Sequence, residues 1–279
     1  MSQGAYDWLS RLNAYLGPHG VCILCRPQAE PKIEIAGSLK LHDDLEDVAS
    51  QWRETLRFND LVAILTRRPN FDADPVILPV ATCDYAAAIT LAQASKTPQM
   101  LSASALVICS ETGELVLHRR SEHSRDCGGA LHSFGGSYIP PVTRDHQTPD
   151  LGQHDSLSLI RTLRREALEE SGIDLNVAEL PNLLLIEETR TEIPFLQFAV
   201  IGVDISEGVW KPPEPGHEGA VERIRCQDLE AALANDRWMP SGKAHVLAWL
   251  ALGAPNRTRT LRFGGLTGEE LFDRIVPGT

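Results

Sequence analysis

The chain of 279 residues contains no uninterrupted apolar stretch approaching the ~18 residues of a membrane-crossing helix, which argues against a helical membrane protein. Its first residues also lack the charged-then-apolar order of a secretory leader, so a cytoplasmic protein without membrane contact is expected. Positive charge is scarce: 26 Lys plus Arg stand against 38 Asp plus Glu, a net charge of −12. Proteins that hold nucleic acid polymers non-specifically present excess cations to phosphate, so that class is disfavoured. A disulfide or zinc framework is missing too. Of six cysteines, only Cys22 and Cys25 form a C-x-x-C, they lie in an apolar strand-like segment, and no second pair exists. Most of the cysteines therefore read as small core residues in a reducing compartment, with Cys127 in a polar, exposed stretch.

What is present suffices for a sizeable core and exceeds one typical domain. Apolar spacing predicts a helix over 6–16, strands at 21–25 and 32–36, a helix over 43–57, strands at 61–66 and 76–81, and a helix over 84–95. The sequence Ser95-Lys96-Thr97-Pro98 reads as a linker, which gives an N-terminal α+β region of 1–98 and a second region of 99–279. The second opens with strand 105–109, a turn at Gly113 and strand 115–117, a hairpin pattern. Strands at 183–189, 195–204 and 221–226 and helices near 227–234 and 241–252 follow, with a short helical stretch after Thr267.

The chemistry concentrates at residues 165–173, Arg-Glu-Ala-Leu-Glu-Glu-Ser-Gly-Ile. Glu166, Glu169 and Glu170 stand at i, i+3 and i+4, hence on one helical face, where like charges cost a few tenths of a kcal/mol per pair unless neutralised. A hard divalent cation suits such oxygens, and Mg2+ takes one or two carboxylates and completes its shell with water and phosphate oxygens. Arg165, four residues before Glu169, is placed to orient that carboxylate. Asp155 or Ser156 is the expected N-cap, with Ile160, Leu163 and Ala167 facing inward and Gly172 ending the helix.

This string resembles the second half of the Nudix box, G-x5-E-x7-R-E-U-x-E-E-x-G-U with U aliphatic. It agrees at every defined position, with alanine at 167 as the one small U residue. The glycine pair Gly135-Gly136 after Leu131-His132-Ser133-Phe134 resembles the opening of the box. Gly136 precedes Arg165 by 29 positions, however, where the pattern has 14, leaving 15 extra residues, and the first glutamate is absent in either register. Asp155 is a candidate substitute partner for the arginine. The resemblance, over about residues 100–252, implies an α/β fold: a Nudix-type α/β/α sandwich with a mixed sheet, preceded by the smaller strand-rich region. It further implies Mg2+ or Mn2+ held by Gly136, Glu166, Glu169 and Glu170, with Arg165, Glu166 and Glu169 as catalytic residues. The implied activity is hydrolysis of the diphosphate linkage in a small-molecule nucleoside diphosphate derivative, and a homodimer is a common assembly of such proteins. The insertion and the separate first region are also similar to animal members that cleave nucleotide sugars.

Glu218 and Glu222 are candidates for an additional acid beyond the box, with Glu187, Glu188 and Glu192 as rivals. Arg119 and Arg120 end the hairpin, as basic residues do in the family. His123, Arg125 and His217 are candidate phosphate or substrate contacts, and Tyr138 and Trp210 candidate base-stacking residues. A second reading stands beside the enzyme: a ligand-binding or regulatory module whose catalysis has decayed with the broken first half of the box.

Overall fold

A computed structural model describes residues 7–56, 59–95, 99–124, 127–138, 140, 157–175, 182–206, 219–256 and 261–278. The elements in chain order are α1 (Asp7–Leu16), β1 (Val21–Cys25), β2 (Lys32–Ser38), α2 (Asp43–Thr55), β3 (Leu61–Leu65), β4 (Ile77–Asp84), α3 (Tyr85–Ser95), β5 (Met100–Cys109) and β6 (Leu115–Arg120). They continue as β7 (Leu131–His132), β8 (Phe134–Ser137), α4 (Leu159–Ser171), β9 (Leu183–Glu188), β10 (Phe195–Ile205), β11 (Gly219–Ile224), α5 (Leu229–Leu233), α6 (Pro240–Ala251) and α7 (Gly268–Ile275). All the described strands join one mixed sheet of eleven strands, with the main order β1-β9-β10-β5-β3-β4-β2.

The ten-residue β5 is the spine of this sheet. One edge pairs in parallel with β10 along its whole length, from Met100 opposite Phe195 to Cys109 opposite Ile205. The other edge is shared by three antiparallel partners in succession: β3 at Met100, β8 at Ser102–Ala105, and β6 at Val107–Ile108. A strand longer than any one partner on that edge lets the sheet branch. One wing runs through β3, β4 and β2, the other through β6 to β11 and β7.

Alternation along the strands builds two cores. Leu106, Ile108, Leu184, Ile186 and Ile201 face one side, where they pack with Leu12 and Leu16 of α1, Val246, Leu247 and Trp249 of α6, and Leu271 and Phe272 of α7. Their neighbours Ala105, Val107, Leu185, Phe198 and Val200 face the other, with Leu159, Leu163 and Ala167 of α4. A mixed sheet between helices is the expected α/β/α architecture. A smaller cluster under α2 and α3 includes Val62, Ile64, Ala88 and Ile89. The sheet runs continuously across the expected boundary at residue 98: β1 pairs with β9, β3 meets β5, and α1 packs into the same core as α6.

Helix α6 is apolar all round and accordingly central, with Pro240 in its first turn, where a missing N–H costs nothing. Two buried histidines tie the β7–β8 segment to it. His132 Nε2 lies 3.1 Å from Ser241 Oγ, and His245 Nδ1 lies 2.6 Å from Ser133 Oγ. Burial depresses both imidazoles, His245 to about 3 from an ordinary 6.5, so both are neutral in the folded state. The unfolded chain binds a proton at His245 below about 6.5 and the folded chain does not. Stability is thus fully present above that pH and is lost as pH falls toward 3. Thermal unfolding at pH 7.5, 6 and 5 should show a falling midpoint, and His245→Gln should flatten the slope. An unchanged slope in that variant would assign the acid sensitivity elsewhere.

Candidate active site

Helix α4 carries the three glutamates, and its placement is fixed at both ends. Ser158, not the expected Asp155 or Ser156, is the N-cap. Its hydroxyl accepts the Arg161 N–H at 3.2 Å and donates to Glu30 at 3.0 Å, and Glu30 in turn accepts the Ile160 N–H. The helix starts later than its sequence suggests because Leu157 and Ser158 already belong to the packed structure, while Asp155 and Ser156 lie outside the described residues. Gly172 ends the helix with φ 71°, the left-handed conformation expected of it.

The opposite wall is β8. A Cβ on Gly136 would stand 2.3 Å from the Glu166 carboxylate, and one on Gly135 would stand 2.4 Å from the Ala103 carbonyl. No side chain fits at either position, so α4 packs onto bare backbone. The Gly135 N–H, directed away from β5, donates to Glu170 Oε2 at 3.2 Å, and His118 of β6 holds Glu170 Oε1 at 2.7 Å. Arg165 reaches Glu166 at 2.7 Å, Glu169 at 3.2 Å and the Ser137 carbonyl at 3.0 Å. It thereby clamps the helix to β8.

Glu166 is the strained member. Its carboxyl pKa is pushed up to about 8 by burial, with the Glu170 and Glu169 charges adding to that and Arg165 opposing it. Among the described residues, no three His, Cys, Asp or Glu side chains converge as metal ligands. The donor set nonetheless fits Mg2+ or Mn2+, because such an ion needs only one or two carboxylates. Glu166 and Glu170 place carboxyl oxygens side by side, and a cation would favour the ionised form of Glu166 that burial disfavours.

The remaining candidates fall out differently. Glu222 is held between Arg119, through Nε at 2.8 Å, and Arg237 at 2.8 Å, so as the expected additional acid it is already committed. Glu188 is 1% exposed and accepts the Ser241 N–H at the start of α6, where the helix dipole favours an anion. Glu187 pairs with Arg68 at 3.6 Å and accepts from Gln99. Tyr138 is completely buried in the core with Phe134, which corrects its reading as a base-stacking residue. Cys22 and Cys25 are half-buried rather than buried, and free. His123 is exposed. Glu218, His217, Trp210 and Arg125 lie outside the described residues. His118 was missed: one histidine in the apolar run of β6 gives no sign of the glutamate it meets from 52 positions further on.

Added Mn2+ supplies a test that needs no substrate. The folded state protonates Glu166 up to about pH 8, whereas the unfolded state loses that proton near 4.5, so the metal-free protein should lose stability as pH rises between these values. Mn2+ at pH 8.5 should raise the melting temperature, and Gly136→Ala should abolish the rise. An equal rise in that variant would place the ion elsewhere.

No family model and no curated protein matches the chain. It is similar to several solved structures over about half its length. A MutT protein from Methanosarcina mazei Go1 is 22% identical, covering 51% of this chain and 86% of its own, with a TM-score of 0.34. A Nudix hydrolase from M. smegmatis is 15% identical, covering 57% and 90%, with a TM-score of 0.37. The Ap4A hydrolase of C. elegans is 12% identical, covering 55% and 99%, with a TM-score of 0.36. At such identities and partial superposition, the activities named for those proteins stay theirs.

Proposed function

We propose that the chain is a Mg2+- or Mn2+-dependent hydrolase that cleaves the diphosphate linkage of a nucleoside diphosphate joined to a group X. The observation that carries this reading is the Glu166 carboxylate, buried against Gly136 and crowded by Glu169 and Glu170. Burying a charge among like charges is unfavourable, and a divalent cation with a bound diphosphate is the partner that converts the cost into binding. When bound, such an ion neutralises phosphate oxygens and lowers the pKa of a coordinated water.

The residues supply the rest. Glu166 and Glu170 are held by Arg165, His118 and the Gly135 N–H in fixed directions, as ligand carboxylates must be. Glu169 is 54% exposed and touched by Arg165, which leaves it facing solvent where it accepts a proton from the attacking water. Water adds to one phosphorus, the bridging oxygen leaves, and the products are a nucleoside monophosphate and a phosphorylated X. Positioning and charge neutralisation dominate such a displacement. The insertion after Gly136 and the N-terminal region resemble those of animal Nudix members that cleave nucleotide sugars, and that resemblance favours a nucleotide sugar as the X-bearing substrate.

Glu166→Gln and Glu170→Gln should each lower Mn2+-dependent turnover of a nucleoside diphosphate sugar panel by more than the ~10–100-fold that outer partners contribute, while Arg165→Lys should fall within that range. Products are read by mass. Wild-type turnover in both glutamine variants would sink the site, and a nucleotide bound saturably but never cleaved would favour the decayed module, which the missing first glutamate of the box supports.

A further inference from the structure

A cavity of about 180 Å3 lies on the far side of β8 from α4, bordered by Gly135, Gly136 and Ser137. Its floor is Ser102 of β5 and Gln197 of β10, cross-strand partners in the parallel register and therefore side by side on the α6 face. Both are buried, at 6% and 3% exposure. Ser102 Oγ and Gln197 Oε1 are among the few buried side-chain atoms without a hydrogen-bond partner among the described residues. Two neighbouring polar groups left unpaired in an apolar strand pair are unfavourable, and such groups call for an explanation. The walls combine the flat or apolar Tyr85, Met100, Phe195 and Met239 with the polar Arg120, His132 and Thr191.

We propose that this cavity is the nucleobase pocket of the substrate, with Gln197 and Ser102 reading the edge of the base. The inference rests on the diphosphate reading of the neighbouring site and adds what that site holds at its other end. The volume is below the roughly 300–1,000 Å3 of a pocket that encloses a whole ligand, so it takes one part of a larger molecule. A carboxamide and a hydroxyl, each both donor and acceptor, match the alternating donors and acceptors of a heterocycle.

Geometry joins the two ends. Among the described residues β8 pairs only with β5, so its second edge carries no strand, and Glu170 lies at that edge through the Gly135 N–H. A nucleotide crossing that edge places its base in the cavity and its phosphates at the carboxylates of α4. Tyr85, the first residue of α3, brings the N-terminal region into the pocket, which gives that region a share in substrate choice.

Binding without metal separates this pocket from the hydrolysis. UMP, CMP, AMP and GMP are titrated calorimetrically against the full chain, with ribose 5-phosphate as the probe that keeps sugar and phosphate but has no base. At least one nucleotide should bind about tenfold or more tightly than ribose 5-phosphate, a difference of ~1.4 kcal/mol. Gln197→Leu and Ser102→Ala should each erase most of that preference, with ribose 5-phosphate unaffected and thermal stability equal or higher. Should no nucleotide outbind ribose 5-phosphate, or should the preference survive in both variants, the proposal is overturned. A base preference lost in the variants of a chain that hydrolyses nothing would uphold the pocket and reject the hydrolase.

Discussion

The close approach of α4 to β8 is the constraint from which the site follows. Glycine at 136 leaves no room for a Cβ beside Glu166, so the helix settles against backbone and the Glu166 carboxyl is pressed into a space largely closed to water. Desolvation is the first cause of its raised pKa, and the two neighbouring glutamates add to it. A fold that merely needed a stable helix there would place an apolar residue at 166. The surrounding polar contacts do not remove the cost; they orient it. Arg165 bridges the helix to the Ser137 carbonyl, and His118 with the Gly135 N–H fixes Glu170, so the carboxyl groups are held side by side.

That approach depends on the unequal sharing of β5. Because β8 occupies only Ser102–Ala105, the sheet is interrupted on one edge between the wing that begins with β3 and the wing that begins with β6. The interruption leaves β8 with one paired edge among the described residues. It also brings α3, from the first third of the chain, to the same place as Met239 from the last third. Separate domains would not produce this, whereas one sheet with a branched spine does.

Local periodicity carries most of the elements, and the reason is visible in them. Alternation at 183–186 and 198–201 is strict because each strand is buried on both faces by different helices. The i, i+3, i+4 glutamates and the glycine pair were equally legible, since each is a short-range pattern with one physical use. Pairing was not. That β1 would lie against β9, or that β3 would meet β5 at Met100, depends on register between distant segments, which no local period records. The boundary near 98 followed from linker-like composition and said nothing of hydrogen bonds across it. His118, Gln197 and Ser102 are polar residues beside apolar neighbours in their strands, a signal present in the sequence but without direction until the partners are known.

The arginines close the electrostatic argument. Arg119 and Arg237 both spend their charge on Glu222, and Arg165 spends its on Glu166 and Glu169. In a chain of net charge −12, these guanidiniums are paired within the structure and contribute little long-range attraction for a diphosphate. On the proposed reading the attraction comes from a cation held by the carboxylates. On that reading a paired arginine hinders the cation and the glutamates hinder the diphosphate, and each lowers the obstacle to the other. Mutual dependence of this kind is reciprocal by thermodynamic necessity, so on the proposed reading the metal tightens diphosphate binding by the same factor as the diphosphate tightens metal binding.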